Sequence, residues 1–353
     1  MNIVDIEVTR QPLSLLKPYR IANKTFDSVT NCIVRIKLAN NIVGIGAGAP
    51  IDYVTGETLD SCMHALAPEH LTWLQGQSID TLPALTRQIH ARLKHSPAAA
   101  AALDIALYDA YGKLCKLPIV DILGRVHHAL PTSITIGIQE TQAAVLEAKD
   151  YVARGFKNLK IKLGEDVQRD IETVRVIREH FPKEIKIRVD MNEGYSLEDL
   201  QSFIHHTNGF DIELIEQPFS RENFHLLTQF PKEVQKKIAA DESMISIADA
   251  FHLVSEQQLC GIFNIKLMKC GGITPALQIA RLANLGGIDL MWGCMDESII
   301  SITAALHAAF ASAKTKYLDL DGSFDLAQDI VSGGFILENG CLRPTNLPGL
   351  GVA

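Results

Sequence analysis

The sequence has no long run of like charges and no apolar stretch long enough to cross a bilayer. Its 33 lysines and arginines and 41 aspartates and glutamates are interspersed along 353 residues, for a formal net charge of −8. Neither a nucleic-acid surface nor a membrane partner is therefore expected. The first residues, MNIVDIEVTR, alternate like a strand and lack the regions of a signal peptide, so we expect a cytoplasmic protein.

Paired cysteines are also missing. The seven cysteines are scattered and include no C-x-x-C pair, which predicts reduced thiols rather than disulfides or a zinc site. The G-x-G-x-x-G dinucleotide fingerprint does not follow a first strand, which argues against a doubly wound nucleotide-binding sheet. A hydrophobic content of 47% is enough for a large core.

A strand-then-helix repeat begins after Gly124. Eight short β-rich segments recur at near-regular spacing, with helical patterns between them: 132–137, 159–164, 185–190, 212–218, 237–243, 262–267, 288–293 and 316–322. Eight such units close into a barrel, so the sequence predicts a (β/α)8-type barrel over residues 125–322. The preceding residues 1–124 show strands first (2–9, 30–38, 42–48) and helices afterwards, which predicts an α+β capping domain that the segment 323–353 completes.

Charged residues stand at the ends of most of these barrel strands, the edge where the chemistry of such barrels lies. Three carboxylates follow one another on consecutive strands, and lysines flank them: Asp190, Glu216 and Asp241, with Lys160, Lys162 and Lys266. Hard oxygen ligands suit Mg²⁺ or Mn²⁺, so we expect one such ion per subunit. Salt bridges between the acids and the lysines are the alternative interpretation.

Lys162 and Lys266 lie on opposite sides of the predicted barrel, which would place one amine on each face of a substrate. We expect Lys160 to help lower the pKa of Lys162, making it a usable base. Removal of a proton beside a metal-bound carboxylate and its return on the other face would racemise or epimerise a substrate, and eliminations and cycloisomerisations use the same groups. A Schiff-base lysine without metal and a non-catalytic metal-binding scaffold remain open.

Taken as a set, the motifs KIK, DMN, EQP, ADES and NIKLMKCGGI resemble those of the muconate lactonizing subgroup of the enolase superfamily, over essentially the whole chain. The resemblance implies an enolase-like modified barrel and a Mg²⁺ cofactor. It assigns Lys162 and Lys266 as the acid and base, and Asp190, Glu216 and Asp241 as metal ligands. Lys160 and Asn192 are then expected beside the substrate.

Two further segments, YLDLDG and WGCMDES, resemble those of the dipeptide epimerases in this subgroup. There, Asp319 and Asp321 would hold the α-ammonium of a dipeptide, and the loop with Met295 and Asp296 would cover the substrate backbone. The implied function is a Mg²⁺-dependent epimerase that inverts the α-carbon of the C-terminal residue of L-Ala-Xaa dipeptides through an enediolate. A muconate cycloisomerase or an o-succinylbenzoate synthase is the alternative, and a turn cap before Gly322 is the other interpretation of Asp321.

The second residue of the dipeptide should meet loops of the capping domain. By resemblance, Lys24 favours an acidic residue, whereas Ile21, Phe26 and Tyr53 offer apolar surface and Asp52 offers a negative charge. Both an acidic and a hydrophobic Xaa therefore stay open. Relatives often assemble, so a homo-oligomer is expected as well.

Overall fold

The computed structural model describes residues 1–21, 24–255 and 258–353, apart from the side chains of residues 17–26. An antiparallel three-stranded sheet with helices forms the first part of the chain, and a parallel eight-stranded sheet with helices forms the second. The predicted fold class, an enolase-like barrel with an α+β cap, is confirmed. No helix in the described residues has the length and apolar character to cross a membrane.

The cap begins with a long hairpin whose strands exceed the predicted ones. The elements of the cap are β1 (Ile3–Ile21), β2 (Lys24–Leu38), β3 (Val43–Gly48), α1 (Asp52–Thr55), α2 (Leu59–Ala65), α3 (Pro68–Leu71), α4 (Leu82–Arg92), α5 (Pro97–Cys115) and α6 (Ile119–Leu123). Residues 17–27, expected as a loop, thus belong largely to the strand pair, because pairing continues beyond a register shift between Ser14 and Tyr19.

Three alternating glycines on β3 explain why α5 is so rich in alanine. A side chain at Gly44, Gly46 or Gly48 would strike the main chain of α5, at Ala106, Ala102 and Ala98 respectively. Glycine on the strand and alanine on the helix therefore allow the two backbones to approach closely. The alanine run of α5 is completely buried in this contact and against the barrel.

The barrel strands run in sequence order and all seven recorded pairings are parallel. After β4 (Leu130–Pro131), the strands are β5 (Ser133–Ile136), β6 (Asn158–Lys162), β7 (Lys186–Asp190), β8 (Ile212–Glu216), β9 (Ile238–Ala240), β10 (Ile262–Ile265), β11 (Asp289–Gly293) and β12 (Thr315–Asp319). An isolated bridge from Thr132 to Leu318 brings the two ends of the sheet together. The carboxyl ends of the strands therefore meet around one opening.

Helices surround the barrel, as the sequence pattern predicts. They are α7 (Thr141–Ala153), α8 (Val167–His180), α9 (Leu197–His206), α10 (Lys232–Gln235), α11 (Ile247–Ser255), α12 (Leu267–Cys270), α13 (Ile273–Gly286) and α14 (Ile299–Phe310). The C-terminal segment adds β13 (Phe335–Glu338) and β14 (Cys341–Pro344), and β14 pairs with β4. This segment also contacts the cap, since Leu350 donates its N–H to Asp109 on α5.

Candidate active site

Three carboxylates lie side by side where consecutive barrel strands end. Asp190 is the last residue of β7 and is paired in register with Glu216, the last residue of β8. Asp241 comes directly after β9. All three side chains are buried, with residue exposures of 0 to 2%. The structure thus brings together the acids that the sequence placed at strand ends.

The ammonium group of Lys160 lies between the carboxylates of this row. Its Nζ is 2.7 Å from Asp319 Oδ2, 2.9 Å from Glu216 Oε2 and 3.1 Å from Asp190 Oδ2. Because the lysine is itself buried, its charge is compensated by these carboxylates and not by water.

Lys162 and Lys266 occupy opposite sides of the opening, on β6 and directly after β10, four strands apart in the sheet. The Nζ atom of Lys162 is 2.7 Å from Asp190 Oδ2 and 2.8 Å from Asn192 Oδ1. The Nζ atom of Lys266 is 2.7 Å from Asp241 Oδ2. Each amine therefore contacts an outer member of the carboxylate row, from opposite ends of it.

The lysines divide the acids by charge state. Burial opposes ionisation of Asp190, but Lys162 and Lys160 outweigh it and lower the pKa to about 2. Burial also opposes ionisation of Asp241, and Lys266 and Lys269 outweigh it, so its pKa is lowered. Glu216 is different: burial, followed by repulsion from Asp190, raises its pKa to about 8. The middle carboxylate is thus the one whose charge has the least compensation.

The pKa values of two of these lysines, Lys160 and Lys266, are raised. Burial alone would lower the pKa of Lys160 and of Lys266, but the carboxylates around each raise it above its ordinary value. Carboxylates, not ammonium groups, dominate the surroundings of these two lysines. The expected effect of Lys160 on the pKa of Lys162 stays a prediction.

The carboxylate row fits a hard divalent cation. Among the described residues, no three His, Cys, Asp or Glu side chains converge in metal-binding positions, and lysine ammonium groups lie between the acids instead. Lys160 Nζ shows that a cation is accommodated between Asp190 and Glu216. The donor set is entirely oxygen and buried, and the raised pKa of Glu216 shows that its negative charge is incompletely compensated, so these three residues would suit Mg²⁺.

The D-x-D pair adjoins this row on β12. Asp319 is the last strand residue and Asp321 follows it, and both are buried. Next to them, a side chain at Gly322 would strike the carbonyl of Met295, so the loop after β11 packs tightly on the D-x-D turn. In that loop, burial and the nearby Asp321 raise the pKa of Asp296 to about 6.

The remaining predicted residues are placed as follows. Asn192 follows β7 in a left-handed conformation and joins Lys162 to Glu242, accepting from the lysine and donating to the glutamate over 3.3 Å. Met295 donates its N–H to Glu297. The side chain of Lys24 lies outside the described part of the chain, as do those of Ile21 and Phe26.

Sequence reasoning missed three buried residues that hold the acids. Lys269 donates to the carbonyl and to Oδ1 of Asp241, and Asn264 donates to Glu216 Oε1 over 2.7 Å. Gln217 accepts the N–H groups of Asp241 and Ser243 on one amide oxygen. A signal existed for Lys269, a second lysine three residues beyond Lys266, and for Gln217 within EQP.

Comparisons with known proteins agree with this architecture. Residues 3–124 match the N-terminal domain of mandelate racemase and muconate lactonizing enzymes, and residues 143–353 match the enolase C-terminal domain-like family. An L-Lys-D/L-Arg epimerase of Methylococcus capsulatus is 50% identical over 100% of this chain and 99% of its own. A hydrophobic dipeptide epimerase of Enterococcus faecalis is 37% identical, with 100% of both chains covered.

A solved structure extends the similarity to three dimensions. The dipeptide epimerase of Methylococcus capsulatus, complexed with Mg and the dipeptide L-Arg-D-Lys, superposes with a TM-score of 0.97 at 50% identity, covering 100% of both chains. The resemblance found in the motifs is thereby confirmed. The chain belongs to the enolase superfamily, in the group of mandelate racemase and muconate lactonizing enzymes.

Proposed function

We propose that this enzyme epimerises dipeptides with cationic side chains, at the α-carbon next to the free carboxylate. This substrate class departs from the acidic or hydrophobic second residue expected from the cap. The relatives named for Lys-Arg epimerisation, at 50% and 49% identity, favour it. The observation that carries the proposal is a surplus of carboxylates around the catalytic opening.

Carboxylates outnumber ammonium groups two to one at this opening. Four lysines contribute positive charge: Lys160, Lys162, Lys266 and Lys269. Eight carboxylates face them or one another: Asp190, Glu216, Asp241, Glu242, Asp296, Glu297, Asp319 and Asp321. Burial and repulsion between these acids raise the pKa of five of them, Glu216, Glu242, Asp296, Glu297 and Asp321, so the lysines leave their negative charge incompletely compensated. Substrate side chains with positive charge are therefore favoured over neutral or acidic ones.

Lys162 and Lys266 are the proposed acid and base. One of them, neutral, takes the α-proton, and the other, as an ammonium, delivers a proton to the opposite face of the same carbon. Mg²⁺ held by Asp190, Glu216 and Asp241 would supply stabilisation of the negative charge that develops on the substrate carboxylate. Lys160 and Asn192 hold the acids and Lys162 in place, and the D-x-D pair receives the ammonium end of the dipeptide.

The test is incubation in D₂O with Mg²⁺ and three dipeptides, L-Lys-L-Arg, L-Ala-L-Glu and L-Leu-L-Tyr. We expect one deuterium per molecule and a new epimer with the cationic dipeptide, at a kcat/KM at least about tenfold above the others, since one uncompensated charge pair is worth more than that. Lys162→Ala and Lys266→Ala should each lower epimerisation at least about 1,000-fold, as loss of an acid–base group does.

Lys316→Ala is the matched control, because Lys316 is an exposed lysine at the other end of β12 and pairs with Asp289. It should epimerise like the wild type. Epimerisation at wild-type rate by either Lys162→Ala or Lys266→Ala would contradict the two-base assignment. A preference for L-Ala-L-Glu would contradict the cationic substrate while leaving the chemistry intact.

A further inference from the structure

The last seam of the barrel, between β12 and β5, is closed mainly by side chains. Apart from the Thr132–Leu318 bridge, the described residues show no backbone ladder between these strands. Instead, Leu320 N–H donates to Thr132 Oγ1 over 3.0 Å and Thr135 N–H donates to Asp321 Oδ2 over 2.7 Å. The D-x-D residues thus take part in closing the barrel.

Arg188 fixes the direction of the hydrogen bonds at this seam. Its guanidinium, on β7 inside the barrel, is 2% exposed, and its Nη1 donates to Leu318 O over 2.7 Å and to Ser133 Oγ over 3.2 Å. Since a guanidinium has only donors, Ser133 Oγ must accept from it. The single hydroxyl proton of Ser133 then has two acceptors within reach, Leu318 O at 3.1 Å and Asp319 Oδ1 at 2.5 Å, and the shorter, charge-assisted bond to Asp319 is favoured.

Both oxygens of Asp319 are consequently taken by the protein. Ser133 donates to Oδ1, and Lys160 donates to Oδ2 over 2.7 Å. Asp321 has a different set of partners. Its Oδ2 accepts from Thr135, while the hydrogen-bond partner of its Oδ1 among the described residues is the weakly donating thiol of Cys294, with the sulfur 4.0 Å away.

We propose that the two acids of the D-x-D pair have separate tasks: Asp321, through Oδ1, alone receives the substrate ammonium, and Asp319 is held by Ser133 and Arg188 to position Lys160. The proposal rests on the dipeptide epimerase function above and refines the expectation that both acids hold the ammonium. The positive charge of Lys160 compensates Asp319, whereas no ammonium group of the described residues pairs with Asp321, which gains one from the substrate. Ser133 and Arg188 are positioning residues in this arrangement.

The experiment compares L-Lys-L-Arg with its Nα-acetylated form, in which a neutral amide replaces the α-ammonium and the side-chain ammonium is kept. Calorimetric affinity with Mg²⁺ present and kcat/KM are measured for the wild type, Asp321→Asn and Asp319→Asn. The wild type should prefer the free amine by roughly 30-fold or more, the cost of leaving a buried charge unpaired. Asp321→Asn should abolish that preference, while Asp319→Asn should keep it within about threefold and lose kcat instead.

Ser133→Ala tests the positioning step by a double-mutant cycle. Alone it should lower kcat about tenfold or more, because Asp319 then loses a hydrogen bond to its charged oxygen. In the Asp319→Asn background it should add little, and in the Asp321→Asn background its effect should be fully additive. Ser133→Thr, which keeps the hydroxyl, should restore kcat. Arg188 is not substituted, since it pairs with Glu213 inside the barrel and its loss could unfold the protein.

Three results would overturn the proposal. They are loss of the amine preference in Asp319→Asn, its persistence in Asp321→Asn, and additivity of Ser133→Ala with Asp319→Asn. Binding with the expected preference but without turnover of any dipeptide would refute the epimerase function and leave the division of tasks standing. A wild type that binds neither form of the dipeptide would refute both.

Discussion

The buried side-chain amide of Gln217 connects the ends of β8 and β9, where Glu216 and Asp241 lie. It follows Glu216 in a left-handed conformation with φ of 33°, unusual for a residue other than glycine. Its oxygen accepts the N–H groups of Asp241 and Ser243, and its nitrogen donates to Phe219 O and Ser243 Oγ. All of its hydrogen-bonding capacity therefore serves to fix the backbone at Asp241.

This arrangement predicts that Gln217→Met weakens Mg²⁺ binding at least about tenfold, because Asp241 loses its anchored main chain and buried N–H groups lose their acceptor. Titration calorimetry with Mg²⁺ measures it. Gln235→Met is the matched control: Gln235 is also a buried glutamine, bonded to Leu227 O and Phe230 O away from the site. Equal loss of Mg²⁺ affinity in both variants would show that only general stability is involved.

At the scale of elements, β3 and α5 pack backbone against backbone in the cap. A Cβ at Gly46 would meet the carbonyl oxygen and carbon of Ala102, main-chain atoms that cannot rotate away. We therefore predict that Gly46→Ala lowers the free energy of unfolding by about 3 kcal/mol or more, as overpacking against rigid backbone does. Denaturation in urea measures it.

Gly137→Ala provides the comparison for that prediction. Gly137 lies just after β5, and no atom lies within 4 Å of a Cβ built there. Its substitution should change stability by no more than about 0.5 kcal/mol. If both variants were equally stable, the packing of β3 on α5 would not depend on the absence of a side chain at Gly46.

The sequence was most informative where a local pattern and a general rule of the fold coincide. Asp190 and Glu216 each end an apolar strand, and the rule that barrel strands end at one face brings them together. The contacts of Lys160 and of Ser133 with Asp319 could not be predicted, because each joins residues more than 150 positions apart. The raised pKa values of Lys160 and Lys266 have a similar origin, since each depends on all the charges that surround one amine.

At the scale of the molecule, cap and barrel are joined by buried polar groups of α5 and α14. Asp104 on α5 accepts from the N–H and hydroxyl of Thr274 at the start of α13. Asp109 accepts the N–H groups of Ile45 on β3 and Leu350 in the C-terminal segment. His307 on α14 accepts the N–H of Val120 on α6 over 2.9 Å. Because these bonds link distant segments, the state of one such group affects the whole fold.

His307 makes the joint between cap and barrel, formed by these buried hydrogen bonds, sensitive to acid. Burial lowers its pKa from 6.5 to about 4, so below pH 6.5 the unfolded chain binds a proton that the folded chain does not. Stability must then fall as the pH decreases from 6.5 towards 4, by up to about 3 kcal/mol from this residue, and it is unaffected by His307 above that range. Protonation would also remove the acceptor of the Val120 N–H.

His307→Gln isolates this contribution, since a glutamine oxygen is an acceptor that does not titrate. The difference in unfolding free energy between wild type and variant, measured in urea at several pH values, should be constant above pH 7 and shift in favour of the variant by about 2 to 3 kcal/mol by pH 4. The same substitution at His205, an exposed histidine at the end of α9, is the matched control and should leave the two curves parallel. Parallel curves for wild type and His307→Gln would mean that His307 takes up its proton without opening the joint between cap and barrel.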